Sequence, residues 1–440
     1  MMLIFIGVPL LLVSFLFPFF GLITYLTILY LRPMQVYPQL AHLHIARIFA
    51  IVTLIGFFLK YGKKEKVFFN FKQDRLLVGL LIVILLSFSV GWIPRCLIFF
   101  WQMLKNIAVY MLIVGMVKTE KRFKIIIFVI LVLSGILAID AIQRAKFIDN
   151  PFLLDYGRIG GFSGAYFGDS NDFAVMINVA IPFTLILGLF GKPFYLRPLS
   201  LLLGGVFIAA LVISRSRGGF ITFGIIILGM VLFSLLDLPK LKHRIISLAI
   251  CALVVIGIVS FSPRVFKERM KTILAYKNQN TAVTRIENWK IGIKMFLSSP
   301  IIGVGAGNYQ LRYRDFGGWN PVWMVSHNMY IDVLSELGLL GFGCFFFLLY
   351  YTFKGFKEVR RRLRRSEMDK FSFLYFANFA AMLSLIAYCV GGMFLSIFVY
   401  PILYIIIALN VAIQNISMIE LEASENLKRS NSQRRVKKIL

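Results

Sequence analysis

The chain has 440 residues, of which 59% are hydrophobic and only 15% charged, with a mean hydropathy of +0.82. Soluble domains carry about 25% charged residues, and the apolar residues here come in runs near the ~20 that span a ~30 Å hydrocarbon core, which excludes a soluble globular domain. The net charge of +28 sits mainly in short loops between these runs, so it reports membrane orientation rather than a nucleic-acid partner.

Taken in order, the apolar runs predict an all-α polytopic protein with spans at 3–31, 43–59, 76–92, 96–116, 125–141, 171–191, 199–213, 219–236, 245–261, 334–352, 371–394 and 395–414. That is about twelve transmembrane helices. The first run is long enough for a tilted helix kinked at Pro18, or for a span that continues along the interface. It has neither a basic n-region nor a small-residue cleavage site, so it reads as a retained helix. Cys96, Cys251, Cys344 and Cys389 all fall inside apolar segments, with no paired spacing for a disulfide framework or a zinc site.

Basic residues orient the spans. Lys354 to Lys370 follow the tenth run, and Lys428, Arg429, Arg434, Arg435, Lys437 and Lys438 follow the last; both groups should be cytoplasmic. Counting back places the short basic loops near Lys63, Lys118, Lys192 and Lys240 on the same side. Residues 1–414 then form one transmembrane domain, with a long periplasmic loop over 262–333 between the ninth and tenth spans. Residues 415–440 form a basic, solvated cytoplasmic tail. The long loop is itself basic, but long loops translocate largely regardless of charge.

The outer segments carry the candidate chemistry. Gly168-Asp169-Ser170-Asn171-Asp172-Phe173-Ala174 leads into the sixth span, and its polar residues suit helix capping, with Asp172 a possible supporting group. Ser214-Arg215-Ser216-Arg217-Gly218-Gly219 follows at the next outer turn. Two arginines beside a membrane-embedded turn are costly without a partner. The helix that begins there aims its free amides and positive dipole end at the same spot. Arginine's planar fork suits a phosphate bound in this way. The competing explanation is that both arginines snorkel to headgroups.

Further along, Thr284-Arg285-Ile286-Glu287 has a capping-box pattern that predicts a helix start, with Arg285 in its first turn. Ile286, Trp289, Ile293 and Phe296 recur at helical spacing, as in an amphipathic helix at the outer surface, or in a cover helix with surface charges. The glycines of Gly303-Val304-Gly305-Ala306-Gly307-Asn308 allow a hinge or a close approach to a ligand, without phosphate-loop spacing. Ser326-His327-Asn328 then runs into Asp332 and Glu336 where the loop re-enters the membrane. A histidine there can act as general base on a hydroxyl, or serve a structural role. Asp140 and Glu336 lie near outer helix ends and could orient an arginine. His42 and His44, without nearby acids, make a poor metal site.

In this order the motifs resemble the O-antigen ligase and polymerase superfamily. The resemblance covers about residues 160–350, whereas the first 150 match only as generic spans. It implies a GT-C-like fold and an undecaprenyl-diphosphate-linked glycan donor at the periplasmic face of the bacterial inner membrane. It also implies an acceptor hydroxyl on lipid A core, a growing polysaccharide or a protein, and transfer that needs neither metal nor cofactor. By the same resemblance Arg217 and Arg285 bind the diphosphate, with Arg215 a neighbour that shares the role, and His327 is catalytic or positions the acceptor; Asn328 and Glu336 stand beside it in support.

The rival class is a transporter or flippase for a lipid-linked glycan or small anion. Such proteins tend to show repeats and polar residues near the bilayer midplane. No repeat is visible in this chain, and Lys105 in the fourth span is its main midplane cation.

Overall fold

The computed structural model describes residues 2–33, 37, 39, 43–62, 70–145, 159–161, 168–191, 194–238, 240–271, 273, 280–318, 324–365 and 373–439. His42 and most of the expected outer loop over 142–170 lie outside these residues. Among the described residues all regular structure is helical. In chain order the helices are α1 (Met2–Leu16), α2 (Pro18–Leu31), α3 (Ile45–Tyr61), α4 (Lys72–Leu86), α5 (Ile93–Met116), α6 (Glu120–Ala145), α7 (Ser170–Phe190) and α8 (Arg197–Ser214). There follow α9 (Arg217–Leu236), α10 (Leu241–Phe261), α11 (Arg264–Lys271), α12 (Asn280–Ser298), α13 (Tyr309–Arg312), α14 (Met329–Arg365), α15 (Phe373–Gly391) and α16 (Pro401–Ile439).

Nine of the described helices are long and apolar enough to cross a membrane. They are α5 to α10 and α14 to α16. The other expected spans are built from shorter pieces, α1 with α2, α3 and α4, so a count of twelve rests on those. The first run breaks at Phe17, where Pro18 opens the second helix, because a proline is favoured in a first turn and disruptive further in. α3 packs along both halves, and Lys60 Nζ donates to Leu16 O at 3.5 Å.

Burial sorts the helices. α7 is buried along nearly its whole length among α8, α9 and α15. α10 is peripheral, and Leu253 and Val259 on it are each 66% exposed. Apolar side chains facing outward on such a helix are what a hydrocarbon solvent asks for, since lipid imposes no penalty on them.

The two ends of the bundle differ in chemistry. At one end, arginines from the first turns of α6, α8 and α10 cap the C-terminal ends of the preceding helices, whose last carbonyls lack helical partners. Arg122 donates to Met116 O at 2.8 Å, Arg197 to Gly191 O at 2.8 Å and Arg244 to Leu238 O at 2.6 Å. Asp237, at the C-cap of α9, is paired with both Arg360 and Arg364 of α14. α16 does not stop at 414 but continues as helix to Ile439, and burial along it fades near Ser417 and Met418. Its last stretch is rich in Glu, Leu, Lys and Arg, which are good helix formers.

The opposite end carries a small module with its own core of Ile291, Met295, Val304, Tyr309 and Tyr313. α12 is its main element, and the helix departs from expectation in two respects. It begins at or before Asn280, so Thr284 and Arg285 lie inside it rather than at its start. Its buried face is Asn288, Ile291, Gly292 and Met295, while Ile286 and Ile293 are 40% and 39% exposed. The expected stripe was therefore rotated. Asn288 is drawn in by hydrogen bonds that hydrophobicity does not register: its Nδ2 donates to Val325 O at 2.9 Å, and it accepts from Tyr309 and Tyr313 hydroxyls at 2.5 and 3.1 Å.

Glycines fasten this module to the bundle. Gly338 interrupts α14 with φ 61 and ψ −161, a backbone region essentially closed to other residues. A Cβ there would lie 2.4 Å from the Ile301 carbonyl. Across the kink, Leu339 N donates to Pro300 O and Val304 N to Ser335 O, at 2.8 and 2.9 Å. Gly303 and Gly305 serve backbone-to-backbone docking, since a Cβ on them would lie 2.3 Å from the Glu336 backbone and 2.4 Å from Gly91 Cα.

Candidate functional site

The arginine turn links α8 to α9. Arg215 takes the left-handed conformation (φ 50) that ends α8, and Ser216 is the N-cap of α9. The Ser216 hydroxyl accepts from Gly219 N at 3.1 Å and donates to Asn171 Oδ1 at 2.8 Å. Asn178 of α7 donates to Gly219 O at 2.8 Å. A Cβ on Gly219 would sit 2.6 Å from the Ala174 methyl, so glycine lets α9 start directly against α7. The consequence is that the first turn of α9 and the start of α7 are fixed together.

Arg285 reaches this turn from α12. It lines one small pocket together with Asn171, Ser216, Gly218, Gly219 and Phe394. Arg285 thus shares a pocket with the amide-rich, positive end of α9, an arrangement that attracts an anion. Arg217 occupies the first helical position between two lining residues, Ser216 and Gly218, but is not itself part of the lining. Arg215 is half-buried beside it. A further arginine that sequence reasoning missed, Arg269 of α11, donates through Nε to Arg215 O at 2.8 Å. The only signal for it was a short basic run after Pro263, which by itself resembles many solvated loops.

His327 lies near enough to Arg285 and Asp169 to feel both charges. It has φ 52, and its amide donates to Ser396 Oγ at 3.2 Å. The loop around it is held on both sides. Trp289 Nε1 donates to Ser326 O at 3.0 Å, and the Ser326 hydroxyl to Asp332 Oδ1 at 2.5 Å. Burial, together with the charge of Arg285, pushes the imidazole pKa down to about 4, against a smaller opposing effect of Asp169. At neutral pH the ring is therefore uncharged and carries a lone pair able to take a proton.

The supporting residues divide by role. Asp169 is the N-cap of α7, accepting from Asn171 N at 2.7 Å. Asp172 accepts from the Tyr400 hydroxyl at 2.8 Å. Asn328 caps α14, taking the amides of Tyr330 and Ile331 at 3.0 and 3.3 Å. Glu336 has Arg95 as a charged neighbour and clamps the glycine segment, accepting from Gly307 N at 2.9 Å and Tyr309 N at 3.0 Å. Asp140 pairs with Arg144 of its own helix at 2.6 Å. His44 occupies the N-cap position of α3 without a side-chain cap bond, far in sequence from the histidine loop. Lys105, in the middle of α5, has Arg32 and Arg47 for its charged neighbours and is not drawn into the pocket.

Sequence reasoning also missed residues 392–400, which it had joined into two abutting spans. They form an irregular segment between α15 and α16, opened by Gly391-Gly392 and closed by Pro401. Met329 N donates to Gly392 O at 2.8 Å, and Asn106 Nδ2 to Val399 O at 2.8 Å. Phe394 and Leu395 form a wall of the arginine pocket.

Residues 199–346 match the family model described as O-antigen ligase. The match runs from α8 into α14 and takes in Arg215, Arg217, Arg285 and His327. It supports the O-antigen ligase superfamily, a family that implies in general an enzyme of the glycosyltransferase kind, with a lipid-linked glycan and an acceptor as its partners. No curated protein matches the chain. With its apolar helices, this describes a multi-pass membrane protein.

Proposed function

We propose that this chain transfers a glycan from undecaprenyl diphosphate to an acceptor hydroxyl at the periplasmic face of the inner membrane. One observation carries the reading. Arg285, from a helix outside the bundle, lines the same pocket as the N-terminal turn of α9 that bears Arg217, and its charge is felt at His327.

In this reading the diphosphate lies against Arg217, Arg285 and the first-turn amides, with Arg215 flanking it, while the polyprenyl chain runs along the lipid-facing helices. The acceptor oxygen attacks the anomeric carbon as its proton passes to the His327 imidazole. The bond from that carbon to the diphosphate oxygen breaks, and the electron pair leaves with undecaprenyl diphosphate. Guanidiniums placed where that negative charge develops stabilise the transition state more than the ground state. Displacement from the far side inverts the anomeric configuration. The arginines supply the positive charge at the leaving group, so transfer proceeds in EDTA and without nucleotide.

The test separates binding from chemistry. His327→Ala should bind the lipid-linked donor as wild type does, because the donor is held by the arginines and its apolar tail. It should lose transfer by about 10²–10⁴-fold, the usual worth of general-base help. A loss below about tenfold would remove His327 from the chemical step.

A further inference from the structure

A second cavity lies beside the histidine loop, and the reaction outlined above does not use it. Its volume is about 200 Å³, and its walls include Arg95, Gln310, Asp332, Glu336, Ser396 and Phe398. These come from four separate parts of the chain: the start of α5, the turn after the glycine segment, the start of α14 and the 392–400 segment. That last segment divides the two spaces. Phe394 and Leu395 face the arginine pocket, and Ser396, Phe398 and Val399 face the cavity. His327 is tied to the divider through its amide bond to Ser396.

We propose that this cavity receives a sugar unit of the acceptor, an uncharged or amino saccharide, and presents its hydroxyl toward His327 from the side opposite the diphosphate. The inference rests on the glycan-transfer reading. Its chemistry differs from that of the arginine pocket. Asp332 and Glu336 stand in the walls beside Arg95, Gln310 and Ser396, a mixture of hydrogen-bond acceptors and donors that suits a hydroxyl-rich ring, where the first pocket sets a guanidinium against backbone amides. Glu336 accepts one backbone amide on each oxygen, from Tyr309 and Gly307. A carboxylate has about four lone-pair sites, so each oxygen can still take a sugar hydroxyl. Arg95 and Gln310 offer donors to ring and hydroxyl oxygens. The Phe99 and Phe398 rings, 6.0 Å apart and tilted by 22°, give an apolar surface for the C–H face of a pyranose. An apolar wall with a few convergent polar groups is the usual make-up of a small-molecule site.

The experiment uses the full-length protein in lipid nanodiscs with named probes. Saturation-transfer NMR measures binding of glucose, galactose, N-acetylglucosamine and glucosamine, with glucuronate as the acidic comparison, and undecaprenyl diphosphate binding is titrated in parallel. Gln310→Trp and Val399→Trp fill the cavity from two different segments without touching the carboxylates. At least one neutral or amino sugar should bind wild type more strongly than glucuronate. Both variants should weaken it by about tenfold or more while changing undecaprenyl diphosphate binding by less than about threefold. The proposal is overturned if no sugar binds, if glucuronate binds best, or if sugar binding survives both fillings. It is equally overturned if both fillings abolish undecaprenyl diphosphate binding, because the cavity is then part of the donor site. Failure of wild type to bind undecaprenyl diphosphate would instead strike the transfer reading itself, and this inference with it.

Discussion

The proposed reaction rests on three side chains, Arg217, Arg285 and His327, whose types are not interchangeable. A guanidinium grips two phosphate oxygens in one plane, whereas an ammonium offers only a point charge. Arg217→Lys and Arg285→Lys should therefore each lose most transfer activity while the protein still inserts and purifies; full activity in both would reduce these arginines to headgroup contacts. The histidine makes a prediction in pH. Its pKa is held near 4, below the ordinary 6.5, by burial and by the charge of Arg285. The acid limb of kcat/KM, which reports the free enzyme, should then lie near pH 4, with the neutral, proton-accepting ring prevailing above it. Arg285→Gln removes a positive charge beside the ring, so the limb should move to higher pH. A downward shift, or none, would contradict the electrostatic contact.

At the scale of elements, the site depends on close backbone approaches that glycine permits. Gly338→Ala would force a side chain into a region costing on the order of 1–3 kcal/mol and place its Cβ 2.4 Å from the Ile301 backbone. It should lower the thermal midpoint in detergent and loosen the α12 module, seen as faster proteolysis in that module. Gly343→Ala, where a Cβ meets nothing within 4 Å, should be neutral or slightly stabilising. Equal effects would show that the kink is not what fastens the module. These contacts explain what could be read without coordinates. The spans from α5 onward follow from hydropathy, and the arginine turn is conspicuous because two arginines beside a membrane-embedded turn are costly without a partner. Local periodicity could not show that Asn288, a polar residue, would be the buried one on α12, since its partners Tyr309, Tyr313 and Val325 lie 21 to 37 residues away. Nor could it show the 392–400 segment, whose position is set by Asn106 and Met329 rather than by its own composition.

For the molecule as a whole, charge is partitioned between the ends. Arginines at one end close helix C-termini and hold Asp237, whereas at the other end Arg285 lines a pocket whose turn bears Arg215 and Arg217. Reporters fused after residue 280 should read periplasmic, and those after 360 and 430 cytoplasmic; a cytoplasmic signal at 280 would separate the site from a periplasmic lipid-linked glycan. The central claim is that the pocket makes a glycosidic bond rather than moving a glycan across the bilayer. Its most direct measurement places the purified protein in vesicles with undecaprenyl-diphosphate-linked glycan and a hydroxyl acceptor, in EDTA and without nucleotide. The account predicts a new, anomerically inverted glycosidic linkage and the release of undecaprenyl diphosphate in equal amount, both lost in Arg285→Lys. Glycan appearing on the far side of the membrane, still attached to its lipid and with no new linkage formed, would contradict it.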